Sequence, residues 1–131
     1  MILYLDASAL VKRYVKEEGS DLVRSAMEEA SSWAMCRVGY VETARAVSLA
    51  YGRDAVTQID EDWPSFNVVE VDQDLTEKAA EIAFSSGLRS LDALHMASAL
   101  TLPAQDLQVA TWDVRLLDAA RAAGLHTVPD G

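Results

Sequence analysis

The chain of 131 residues is 50% hydrophobic and 24% charged, the balance of a soluble globular protein of one domain. Its 11 Lys and Arg stand against 21 Asp and Glu, and the formal net charge of −10 disfavours a protein that grips duplex DNA mainly through phosphates. The longest apolar run, Met1 to Leu5, is far short of a membrane span or a signal-peptide core, and the single cysteine, Cys36, excludes an internal disulfide, so one cytoplasmic domain over 1–131 is expected.

No linker, repeat or low-complexity tract interrupts the chain. Ile2 to Leu5 is a short apolar strand, followed by a helical segment from Ala7 to Val15 and a break at Gly19. A second helix is expected from about Ser20 to Ala30, with Leu22, Val23, Ala26 and Met27 on its apolar side. Trp33 to Val38 reads as a strand. Tyr40, Ala44, Val47 and Tyr51 then recur at helical spacing, with Val38 and Leu49 on another side, so this helix should be buried on two sides. Asp54 to Trp63 is a weak helix closed by Pro64, and Asn67 to Val71 is a strand. Asp74 to Ser85 is a helix ended by Gly87. Ser90 is placed to cap the next helix, whose stripe is Leu91, Leu94, Ala97 and Leu100. Leu107 to Thr111 is a strand, Asp113 can cap a helix through Ala123, and Leu125 to Val128 is the last strand. Short apolar strands alternating with helices predict an α/β protein with a parallel sheet covered on both faces. Ligands on such sheets bind at the carboxyl ends of the strands.

Four acids fall on that edge. Asp6 directly follows the first strand, Glu42 lies early in the helix after the second, Asp92 opens the helix near Ser90, and Asp113 follows the late strand. Each has a simpler use: Asp6 and Asp113 as N-caps, Asp92 against a helix dipole, Glu42 on a solvated face. As a set they carry more. At an effective dielectric near 20, each carboxylate pair about 5 Å apart costs roughly 3 kcal/mol. Such a group needs bound protons or a hard cation, and all-oxygen ligands suit Mg²⁺ or Mn²⁺. A cation held there would lower the pKa of a bound water.

The stretches Tyr4-Leu5-Asp6-Ala7-Ser8-Ala9-Leu10-Val11-Lys12, Val38 to Ala46 around Glu42, Leu88-Arg89-Ser90-Leu91-Asp92-Ala93-Leu94-His95 and Thr111-Trp112-Asp113-Val114-Arg115-Leu116 resemble, in order and spacing, a PIN domain. The closest likeness is to the VapC-like toxin component of type II VapBC toxin–antitoxin systems. The resemblance implies a three-layer α/β/α sandwich with a central parallel sheet of about five strands. It implies a Mg²⁺- or Mn²⁺-dependent endoribonuclease, homodimeric, inhibited by a cognate VapB-like antitoxin. Asp6, Glu42, Asp92 and Asp113 take the places of the acidic quartet that holds the metal, and Ser8 and Thr111 match polar positions beside it. The chain departs from the pattern at Arg37-Val38-Gly39, where a small hydroxyl residue is frequent. The second apolar side of the Tyr40–Tyr51 helix would then face a twin subunit, an antitoxin helix or the neighbouring Asp54–Trp63 helix.

The rivals fit less well. A phosphoacceptor domain calls for an acidic pair after the first strand and a late lysine, and an aspartyl-phosphate phosphatase calls for Asp-x-Asp where this chain has Asp6-Ala7-Ser8. A DNA-cleaving nuclease and a non-toxin RNA-processing nuclease share the quartet, but a compact length without an inserted arch favours RNA. A non-catalytic acidic interaction module would use the same acids as surface charge. His95, one turn after Asp92, reads as a packed histidine because neither it nor His126 has metal-ligand spacing, and Cys36 reads as a small buried hydrophobe. Lys12, Arg13, Lys16, Arg37, Arg45, Arg89 and Arg115 are the cations available for a local basic rim.

Overall fold

The structure, a computed structural model, describes residues 1–130. Five short strands, β1 (Ile2–Leu5), β2 (Ser32–Cys36), β3 (Phe66–Val69), β4 (Leu107–Ala110) and β5 (His126–Val128), pair in parallel in the order β3-β2-β1-β4-β5. Parallel neighbours need crossovers, and helices supply all of them. Helices α1 (Ala7–Tyr14) and α2 (Ser20–Glu29) link β1 to β2, and α3 (Val38–Tyr51) and α4 (Thr57–Asp62) link β2 to β3. Helices α5 (Gln73–Ser86) and α6 (Ser90–Ala99) link β3 to β4, and α7 (Val114–Ala122) links β4 to β5.

Successive strand residues point to opposite faces, so each central strand feeds two cores. Leu3 and Leu5 of β1 pack with Leu10, Val23, Met27, Val47 and Ile59 from α1 to α4. Tyr4 points the other way, into Leu75, Ala79, Met96, Leu116 and Ala120 from α5 to α7. The result is the expected three-layer sandwich. Strand order reverses beside β1, whose neighbours β2 and β4 are reached by chain runs in opposite directions. The crevice at the carboxyl ends of β1 and β4 is therefore where such a sheet opens for a ligand.

The structure corrects several details. On α6 the buried residues are Ala93, His95, Met96, Ala97, Ser98 and Ala99; of the expected stripe, Ala97 and half-buried Leu94 face the core, while Leu91 and Leu100 are exposed. This helix is wedged among α5, α7 and β2, and only small side chains fit most of that contact. Leu22 of α2 is likewise exposed beside buried Val23 and Met27. Ser90 is the first residue of α6 and makes no cap bond. Strand β2 stops at Cys36 because Val38 already belongs to α3. The Asp54–Trp63 segment splits into a 3-10 turn at Arg53–Val56 followed by α4. On α3, Val47 is buried, but Val41, Leu49 and Tyr51 are exposed. Tyr40 packs its ring on Trp63, 5.2 Å away, and donates to Asp60, so the neighbouring segment covers part of the second side. No helix of the described residues is long and apolar enough to cross a membrane.

Gly39 explains the departure at Arg37-Val38-Gly39. A Cβ built there would lie 2.5–2.6 Å from the side chain of Met35, which is fully buried. A hydroxyl-bearing residue has no room. Gly39→Ala should destabilise the fold by about 1–3 kcal/mol, reduced by the better helix propensity of Ala. Urea midpoints of the two proteins test this, and a higher midpoint for the variant would contradict the packing argument.

Candidate active site

The crevice is built around Asp6. Its amide donates to the Ala110 carbonyl across the β1–β4 boundary at 3.2 Å, and its side chain is only 4% exposed. Oδ1 accepts from the Ala9 amide at 3.0 Å, which makes Asp6 the N-cap of α1, and from the Ser8 hydroxyl at 2.7 Å. Oδ2 accepts from the Thr111 hydroxyl at 2.5 Å. Both hydroxyls are polarised from behind: Ser8 Oγ accepts from the Trp112 amide at 2.8 Å and Thr111 Oγ1 from the Asp113 amide at 3.1 Å. Capping and site membership, alternatives in the sequence, are the same bonds here. A carboxylate oxygen offers two lone pairs, so Oδ2 keeps one open. Burial pushes the Asp6 carboxyl above its ordinary pKa, against the opposing pull of His95 and of these hydrogen bonds.

Asp113 caps α7 with one oxygen: Oδ1 accepts from the amides of Arg115 at 3.0 Å and Leu116 at 3.2 Å. Its Oδ2 makes no hydrogen bond among the described residues. Asp92, in the first turn of α6, is half-buried, and its side chain has no hydrogen-bond partner among the described residues. Burial raises its pKa first, then the fields of Asp113, Asp6 and Glu42, opposed only by His95. Each of the other three acids thus acts on Asp92 from a different element.

Glu42 is not on a solvated face. Its Oε1 lies 2.7 Å from Nε2 of His95, which is 2% exposed. The other ring nitrogen, Nδ1, lies 2.7 Å from the hydroxyl of fully buried Tyr4. The Tyr4 oxygen accepts from the Cys36 amide at 3.1 Å. His95 is packed, as the sequence suggested, and is also hydrogen-bonded at both ring nitrogens; its spacing from Asp92 was the one available signal.

The basic set thins out. Lys12 is buried; its ammonium donates to Glu17 at 3.1 Å and to the Glu18 carbonyl at 2.7 Å, and lies 5.0 Å from the centre of the Trp112 ring. Arg13 joins Tyr14 on Asp62, at 2.9 and 2.7 Å, tying α1 to α4, and Arg37 pairs with Glu70. Lys16, Arg45, Arg89 and Arg115 are exposed, and Arg89 and Arg115 stand beside Asp92 and Asp113 in the chain.

Among the described residues no three His, Cys, Asp or Glu side chains are gathered tightly enough to form a ready-made metal cage. The donor set is nonetheless all carboxylate oxygen, with Asp92 uncommitted and one oxygen of Asp113 open. That suits a hard divalent cation, which keeps several of its waters and takes one or two protein carboxylates. It does not suit a closed zinc site.

The raised pKa values of Asp6 and Asp92 fix a pH signature. A raised folded-state pKa gives a contribution fully present below the unfolded value, about 4, and lost as pH rises through the folded value. Without metal, Asp92→Asn should therefore melt higher than the parent at pH 7, with the difference closing near pH 4. Mn²⁺ should raise the parent's Tm more than the variant's. Asp6→Ala should fall by about 0.5–2 kcal/mol, because it loses the α1 cap and strands two hydroxyls. Charge alone favours a gain for Asp6→Asn, but its amide nitrogen meets hydroxyls that donate, so Asp92 is the cleaner position. Thermal melts across pH, with and without Mn²⁺, decide the matter, and a destabilised Asp92→Asn would contradict the crowding of charge.

The PIN domain family model matches residues 3–122. Ribonuclease VapC49 of Mycobacterium tuberculosis H37Rv is 33% identical over 137 aligned positions, covering 98% of this chain and 95% of the relative. Ribonuclease VapC46 of the same strain is 29% identical over 132, covering 96% and 95%. Among solved structures, M. tuberculosis VapC20, described as a sarcin-ricin loop cleaving toxin, superposes with a TM-score of 0.76 at 14% identity, covering 89% of this chain and 94% of that one. VapBC2 from Rickettsia felis, bound to a DNA fragment from its promoter, gives 0.67 at 14%, covering 97% of each. The superpositions carry the fold, while the family model and the full-length relatives carry descent: the chain belongs to the PIN-domain family, among its VapC-type ribonucleases.

Proposed function

We propose that the chain, as a single PIN domain in the cytoplasm, is the endoribonuclease toxin of a type II toxin–antitoxin pair, hydrolysing RNA phosphodiester bonds with Mg²⁺ or Mn²⁺ at Asp6, Glu42, Asp92 and Asp113. The observation that carries this reading is the field on Asp92, to which the other three acids all contribute from separate elements. Relatives named as ribonucleases over nearly the whole chain support RNA as the substrate.

The four carboxylates then have different duties. Asp6 is the fixed one, held by Ser8, Thr111 and the start of α1. Asp113 is anchored by one oxygen and leaves the other to orient a water. Asp92 has the freedom to follow the charge of the reacting phosphate. Glu42 keeps Oε1 on His95, and its Oε2 has no hydrogen bond among the described residues. A bound divalent cation would supply a water of lowered pKa and positive charge against the phosphate. Arg89 and Arg115, exposed at the rim, are placed for neighbouring phosphates of an otherwise repelled substrate.

A VapB-like antitoxin is the expected partner, and a homodimer the expected assembly. Four acids with no strong cation among them invite an Arg from the antitoxin, whose planar fork suits carboxylates. Exposed Val41 and Leu49 offer apolar contact nearby on α3.

Two outcomes follow. Asp6→Asn and Asp92→Asn should lose Mn²⁺-dependent cleavage of a structured RNA to background while keeping the parent circular-dichroism spectrum. Asp113→Asn should lose roughly 10-fold, because an amide oxygen still accepts the α7 amides and holds water. Parent-like cleavage by a folded Asp92→Asn would remove the mechanism. In the complex, replacing the inserted antitoxin Arg by Ala should weaken inhibition; undiminished inhibition would mean that the acids are not its target.

A further inference from the structure

The four acids are held unequally. Backbone amides and hydroxyls fix Asp6, and helix amides fix Asp113. Glu42 has the longest side chain of the set, and its single hydrogen bond among the described residues is to His95. From these contacts, and resting on the assignment of Glu42 to the acidic quartet, we infer that His95 is a positioning residue: Tyr4 fixes its ring, and the ring fixes Glu42.

The polarity of the chain of bonds can be worked out. Tyr4 is fully buried in the middle of β1, and an ordinary phenol carries its proton at neutral pH. Its oxygen already accepts from the Cys36 amide at the end of β2, which turns the O–H toward Nδ1 of His95. In the neutral ring Nδ1 then accepts and the hydrogen sits on Nε2, and in either charge state Nε2–H points at Glu42 Oε1. The edge-on packing of the two rings, 5.9 Å between centres at 70°, fixes the imidazole plane as well. Both nitrogens of a buried ring are satisfied, and every bond has one consistent direction.

The arrangement also links acids on different elements. Asp92 and His95 are three residues apart, on adjacent turns of α6, which is packed among α5, α7 and β2. One rigid helix therefore carries Asp92 directly and Glu42 through the imidazole. Carboxylates that ligate metals are commonly oriented by such outer partners, whose loss costs 10- to 100-fold.

A purely structural histidine is the competing account, and two amides separate it from positioning. The side-chain nitrogen of Gln reaches the place of Nε2, whereas that of Asn reaches only the place of Nδ1. His95→Gln, His95→Asn, Tyr4→Phe, Glu42→Gln and Asp6→Asn would be prepared as full chains and compared in thermal melts without metal, in titrations with Mn²⁺ alone, and in kcat and KM on a structured RNA. His95→Asn should lower kcat and Mn²⁺ affinity roughly 10-fold or more with KM for RNA unchanged, and His95→Gln should recover most of both. In the metal-free melts, His95→Asn should cost less in a Glu42→Gln background than alone, because the shared bond is already altered. Equal loss in the Gln and Asn variants, or an unchanged His95→Asn, overturns the proposal. If His95→Asn does not fold, Tyr4→Phe, which removes one hydroxyl, decides: lowered kcat supports positioning and an unchanged kcat overturns it. An active Glu42→Gln beside an inactive Asp6→Asn also overturns it while sparing the rest of the site. Parent-like cleavage and Mn²⁺ binding by Asp6→Asn would instead bring down the quartet itself.

Discussion

A buried carboxylate at the junction of β1 and β4 organises this molecule. Asp6 is almost without solvent, so its charge has to be met by hydrogen bonds, and it receives them from both strand ends at once. The Ser8 and Thr111 hydroxyls that supply them are themselves held by amides of the loop entering α7. The crevice is thereby given a stiff floor. The remaining acids are arranged about it with less support, and Asp92 with none. A site of this kind tolerates its own repulsion because its rigid member is bound on several sides, leaving the tension to Asp92, which has no side-chain hydrogen bond among the described residues. The perturbation of Asp92 by the other three acids is that tension expressed as proton affinity.

Much of this was legible in the chain. Asp6 and Asp113 follow strands and open helices, and position alone places them on one edge of a parallel sheet. Asp92 was legible only as an acid in the first turn of a helix within a matching stretch, because α6 follows α5 and no strand leads into it. The architecture followed from the alternation of strand and helix, because buried parallel strands and crossover helices leave distinct patterns. The α6 interface was misread because periodicity weights leucine, whereas a helix wedged between a sheet and two other helices selects alanine and serine. Lys12 was read among the cations available for a basic rim, but the hairpin of α1 and α2 folds Glu17 and Glu18 back over it beside Trp112.

The link from Glu42 to Tyr4 was the least legible. His95 and Glu42 are 53 residues apart, and Tyr4 and His95 are 91 apart. No local rule of spacing reports on such a contact. Its only local trace is a histidine on the inner face of a helix otherwise lined with small residues, in a protein with few histidines. Gly39 is similar: the need for glycine lies in the volume of Met35 beneath it, and its backbone has no positive φ.

The topology has a further consequence in the order of synthesis. Asp6 leaves the ribosome well before Thr111, which completes its hydrogen bonds and lies 105 positions later. Strand β4 must then slot in beside β1, already flanked by β2 on its other side, before the crevice has two walls. A partly made chain carries the reactive acid without the hydroxyl, amides and second carboxylate that give it geometry. Such non-local closure is slow to nucleate. The fold itself therefore delays completion of the crevice until β4 and the Thr111–Asp113 loop have been made.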